Sequence, residues 1–157
     1  MEVAARRAEE VVSRFYVLSN RERRDFMHEI RTLSELDSSE ITDSALAQLL
    51  CYSVRREVGT RVVAERDLYR ICLQDHRILD RSRSYRSIPL PAILLYVLTH
   101  EFVHVVRFSQ RLQTLDLSPA LRQAEELRVD QTARRILTDV DAPGISDVLT
   151  YFPALDS

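Results

Sequence analysis

Apolar positions along the first part of the chain recur at helical spacing. Val11, Val12, Phe15 and Leu18 fall at intervals of three and four, which predicts an amphipathic helix over residues 3–18. Ser19-Asn20-Arg21-Glu22 then has the form of a capping box, so a second helix carrying Phe26, Ile30 and Leu33 is expected behind it. After the polar break Asp37-Ser38-Ser39, a third helix is expected from Thr42 or Asp43. It would bury Leu46, Leu49 and Leu50, place Arg55 and Arg56 in its last turn, and end at Gly59. Residues 60–73 carry two signals. Val62-Val63 has strand character, whereas Leu68, Ile71 and Cys72 are helically spaced, and the reading favours helix.

The pattern changes at Arg77. From there to Ile88 the residues lean toward extended structure, and Arg81-Ser82-Arg83-Ser84-Tyr85 suits an exposed strand or hairpin edge. A strongly apolar helix is then expected from Pro91 through Ile93, Leu94, Val97, Leu98, Phe102, Val105 and Val106. Ser118-Pro119 has the N-cap and N1 proline form that opens a further helix, 119–138, with Pro143-Gly144 beyond its end and a short C-terminal segment after that. The fold class that follows is mainly α (α+β), one compact helical domain with a small β edge strand or hairpin before the apolar helix. Residues 1–75 form a helical scaffold, 77–138 the chemical core and 139–157 a C-terminal segment.

Composition narrows the function classes. A chain of 157 residues is the size of one domain, and 45% hydrophobic with 29% charged residues excludes a disordered or low-complexity scaffold. All 22 basic residues are arginine, which rules out Schiff-base lysine chemistry. They are scattered among 24 acids for a net charge of −2, so no nucleic-acid partner is expected. The N-terminal MEVAARRAEEVV lacks the apolar stretch of a secretory signal, and the run from Ile93 to Thr99 is shorter than the roughly 20 residues a bilayer requires. A cytoplasmic protein with no membrane partner is therefore expected. Cys51 and Cys72 read as reduced, packed thiols, and Cys72 with His76 as a weak ligand pair without companions.

The apolar helix contains His100-Glu101-Phe102-Val103-His104. Residues four apart on a helix share a face, so the two imidazoles can ligate one metal ion while Glu101 reaches a water beside it. Chains of this composition contain such an HExxH pentapeptide by chance in roughly 1% of cases. Three ionisable groups inside an apolar helix are costly to bury unless something pairs with them, and a divalent cation would. Catalytic zinc normally takes three protein ligands. Arg107 and Gln110 exclude the extended HExxHxxGxxH pattern, and no histidine follows His104, so the third ligand must be acidic. Glu126, Asp130, Ala133 and Leu137 form one stripe of the next helix. Glu126 is the favoured ligand because Asp130, one turn on, could accept the other ring N–H of a ligating histidine. Glu125, on the neighbouring stripe, and the more distant Asp116 compete with it.

HExxH followed by Glu-xxx-Asp-xx-Ala, here His100-Glu101-His104 and Glu126-Asp130-Ala133, resembles the gluzincin group of zinc metallopeptidases, and the short chain resembles its minimal single-domain members, the minigluzincins. The resemblance covers residues 77–138. It implies a zincin-like fold with one Zn2+ per chain held by His100, His104 and Glu126. It further implies Glu101 as general base and acid, Asp130 as support for a histidine, an edge strand around Arg77–Tyr85 aligning a peptide or protein substrate, and hydrolysis of peptide bonds. A downstream histidine or tyrosine often steadies the oxyanion in that family; Tyr85, Tyr96 and Tyr151 are the tyrosines available. Two alternatives accompany this reading. In one, the segment Ser146–Ser157, with Tyr151-Phe152-Pro153 and Asp156, lies in the cleft and holds a latent form. In the other, the chain is a non-catalytic helical regulatory module.

Overall fold

The computed structural model describes residues 1–25, 27–112 and 117–155. Six helices are described, α1 (Glu2–Phe15), α2 (Asn20–Asp25), α3 (Asp75–Ser84), α4 (Leu90–Ser109), α5 (Pro119–Thr138) and α6 (Ile145–Tyr151). Three strands, β1 (Met27–Arg31), β2 (Ala47–Val58) and β3 (Arg61–Leu73), form one sheet in the order β1-β3-β2. The α+β class is thus observed.

α4 and α5 match the expected helices, whereas α1 ends at Phe15, short of the expected residue 18, and leaves Leu18 beyond it. α1 buries Ala8, Val11 and Val12 against α4. Ser118 caps α5, its hydroxyl accepting the Leu121 N–H at 3.4 Å. The Ser19–Glu22 capping box is present, with reciprocal bonds of 3.2 and 2.8 Å, yet α2 lasts only six residues. Ile30 belongs to β1 and Leu33 to a single 3-10 turn, so the second helix does not continue through them. Phe26 lies outside the described residues.

The third helix is corrected to a strand. Residues 47–58 and 61–73 pair antiparallel from Ala47↔Leu73 to Val58↔Arg61, and β1 adds in parallel along β3. Gly59 adopts φ +62° in the hairpin turn, where a side chain would be strained, so its role is to reverse a strand rather than end a helix. Alternation decides the register: Tyr69, Ile71 and Leu73 are buried, while Arg70 between them points to the opposite face. Val54 and Val58, in the distal half of β2, are exposed, so they satisfy no helical stripe.

That opposite face is organised by ions. The Glu40 carboxylate accepts the Asp37 N–H (2.9 Å), the Arg70 guanidinium (2.6 Å) and the Tyr52 hydroxyl (2.7 Å), and Arg70 also donates to Glu29. These donors hold the Glu40 carboxyl down to about 2 from its ordinary 4.5. Because the folded value is the lower one, its contribution to stability is complete above about 4.5 and is lost as pH falls toward 2. Glu40→Gln should therefore flatten the acid limb of the stability curve in that window, read by denaturation midpoints between pH 5 and pH 2. An unchanged acid limb would show that this carboxylate has no such role.

Arg77–Tyr85, expected as an edge strand, is α3 and its C-cap. The alternating arginines and serines carry no burial preference, and Ile78, 3% exposed, packs the segment as a helix instead. Arg83 bonds Asp80 at 2.9 Å and the Ser84 hydroxyl bonds the Asp80 carbonyl, both helical spacings. Among the described residues the edges of the sheet are β1 and β2. α4 is long and apolar enough, by length and composition, to cross a membrane; 78% of its most apolar window is buried inside this fold. It is the central element, with α1, α5, α6, α3 and β2 around it. Gly144, φ +83°, caps the approach to α6; a Cβ there would meet Pro89 Cδ at 2.4 Å, so glycine is required where this loop crosses the start of α4.

Candidate metal centre

Four residues per step along α4 bring Tyr96, His100 and His104 onto one stripe, and α5 runs beside it in the opposite direction. The contacts form three polar rungs. The Tyr96 hydroxyl donates to Asp130; His100 and His104 face Glu126; and Arg107, one turn past His104, pairs with Glu125. The outer rungs fix how α5 is rotated against α4 and so where Glu126 points.

On the central rung, Glu126 Oε2 lies 3.2 Å from His104 Nε2 and 3.4 Å from His100 Nε2. One donor atom from each residue lies within 4.8 Å of the others, and among the described residues this is the group of His, Cys, Asp and Glu placed to hold a metal ion. His100 is fully buried and His104 is 2% exposed. Burial raises the Glu126 carboxyl, but the hydrogen bonds from the two imidazoles outweigh it and hold it down to about 2. A charged carboxylate and two imidazole nitrogens, converging in a largely buried site, are a donor set suited to a borderline cation. Donors about 2.0–2.1 Å from a tetrahedral centre lie roughly 3.3–3.4 Å apart, close to the two spacings found here. Glu101, 1% exposed, is buried on the same helix.

The competing acids are also placed. Glu125 is committed: it accepts from Arg107 on one oxygen and from Arg128 at 3.2 Å on the other. Tyr16, at the C-cap of α1, lies beside Arg107, so the pair belongs to a structural network between α1, α4 and α5. Asp116 lies outside the described residues.

Asp130 was expected to accept a ring N–H from a ligating histidine. Its oxygens instead accept the Tyr96 hydroxyl, the Arg134 Nε–H (2.9 Å) and the Leu155 N–H (3.4 Å). The physical reason is position: Asp130 is one turn beyond Glu126 on an antiparallel helix, and so meets the residue one turn before His100. Burial and the Asp130 carboxylate raise the Tyr96 pKa, keeping it a proton donor to Asp130. Sequence reasoning misses Arg134, which completes this cluster, and the pairing of Arg107 with Glu125. The available signal was Tyr96 standing four residues before His100 on the same stripe.

The other two tyrosines are placed elsewhere: Tyr85 packs on Phe152 with centroids 5.2 Å apart, and Tyr151 is 66% exposed. Cys72 is buried in β3, whereas His76 bonds Asp43 from α3, so they are not a ligand pair on one helix. Comparison with protein-family models, with curated proteins and with solved structures finds no match for this chain.

Proposed function

We infer that the protein is a zinc-dependent peptidase of the gluzincin type in minimal form. The observation that carries this reading is the single Glu126 oxygen standing 3.2 and 3.4 Å from the two HExxH imidazoles. His100, His104 and Glu126 would hold the ion. Zinc bound there would supply Lewis acidity toward a substrate carbonyl and lower the pKa of a bound water. Glu101, adjacent to the first ligand, would take a proton from the attacking water at its carboxylate and return it to the leaving amine. His100 and His104 would act only as ligands, and the apolar wall of α4 would keep bulk water from the reacting groups. With residues 77–84 helical, alignment of an extended peptide would pass to β2, an edge strand of the sheet that packs against α4.

The deciding comparison is wild type against Glu101→Gln on a peptide library, with a chelator control. The variant should keep its zinc and lose at least about 100-fold in cleavage rate, the usual scale of general-base catalysis. Cleavage that survives both the substitution and the chelator would refute the peptidase reading.

A further inference from the structure

Away from the metal centre, the C-terminal segment Phe152–Leu155 closes over α3 and the loop 44–46, leaving a polar-walled cavity of about 60 Å³. Arg77 and Arg81 line it together with Ser44. Arg77 Nε is a buried atom and, among the described residues, has no hydrogen-bond acceptor. Among the described residues neither guanidinium has a carboxylate partner, although Arg83 on the same helix is paired with Asp80.

Several costs coincide in this arrangement. Arg77 and Arg81 are four apart on α3, a like-charge spacing that destabilises a helix. Arg77 also stands in the first turn, where the helix dipole disfavours a cation. A buried donor without an acceptor carries a desolvation penalty. One bound anion would relieve all three, and the cavity is several times the roughly 10–15 Å³ that admits a single water. Two guanidinium forks and a hydroxyl match the oxygens of a small oxyanion.

We propose that Arg77, Arg81 and Ser44 form a binding site for a small oxyanion, either a tetrahedral phosphate-like ion or a carboxylate. The ion would tie α3 and the loop 44–46 to the C-terminal segment. This site is separate from His100, His104 and Glu126 and does not depend on peptidase activity.

The test is thermal denaturation of the full chain with inorganic phosphate, acetate or chloride at equal pH and ionic strength, with phosphate binding checked by titration calorimetry. Saturating phosphate or acetate should raise Tm by about 3 °C or more over chloride, and the more effective ion identifies the class. Arg77→Gln combined with Arg81→Gln should abolish the shift. It should leave basal Tm unchanged or higher, since two repelling charges are removed. Phosphate captured by the metal centre would still act on the double variant. An undiminished shift there, or an equal effect of chloride, overturns the proposal.

Discussion

Zinc supplied to the purified protein should bind at about one ion per chain, and both His104→Ala and Glu126→Ala should lose it, whereas Glu125→Gln should retain it. The two acids are neighbours in sequence but not in role. Glu126 shares one oxygen between two imidazoles, and Glu125 is held by Arg107 and Arg128. Removing one of three ligands should weaken binding by more than about 100-fold, since loss of a group merely supporting a ligand already costs 10–100-fold. Glu125→Gln instead leaves the Arg107 guanidinium, 11% exposed, without its carboxylate. Breaking such a buried pair costs about 3–5 kcal/mol. Metal analysis and thermal denaturation of the same samples separate these effects. Zinc lost from the Glu125 variant and kept by the Glu126 variant would reverse the assignment of the third ligand.

The helices that build this centre were legible because each carries a stripe long enough to establish its period. α4 also announces its chemistry, since His100 and His104 repeat at the same spacing as its core residues. The sheet was not legible. In Leu46, Leu49, Leu50 and Leu68, Ile71, Cys72 the apolar positions are few enough to satisfy helical spacing. What decides for strands is pairing across the Gly59 turn, a non-local interaction that places Ile71 against Leu49 and Tyr69 against Cys51. The α3 segment failed in the opposite sense, because alternation among exposed arginines and serines records no burial. Asp130 shows a third limit. Its stripe on α5 follows from the spacing, and Asp130, Ala133 and Leu137 are all buried, but its partner depends on the direction in which α5 crosses α4. Antiparallel crossing sends it to Tyr96.

Deleting residues 146–157 should unfold the chain rather than release a latent enzyme. A removable plug would lie on the surface of a finished domain, but Val148, Phe152 and Leu155 are 0%, 3% and 7% exposed and belong to the same core as α4. Full burial of such side chains is worth about 1.5–3 kcal/mol each, so the three together contribute roughly 5–9 kcal/mol, comparable to the whole stability of an ordinary domain. The polar side adds to the loss. Arg134 donates to the Leu149 and Phe152 carbonyls at 3.1 and 2.8 Å, and Asp130 accepts the Leu155 N–H. The deletion would leave Arg134 and Asp130 to find water beside the rung that positions Glu126. Phe152→Ala tests the same argument more gently. It should cost about 3–5 kcal/mol while the melt remains cooperative. Circular dichroism on the deletion decides between the two roles of the segment. A cooperative melt near the wild-type midpoint, together with faster peptide cleavage, would make it an inhibitory plug. A non-cooperative or absent transition would make it part of the core, and through Asp130 and Arg134 part of what aligns α5 with the two histidines.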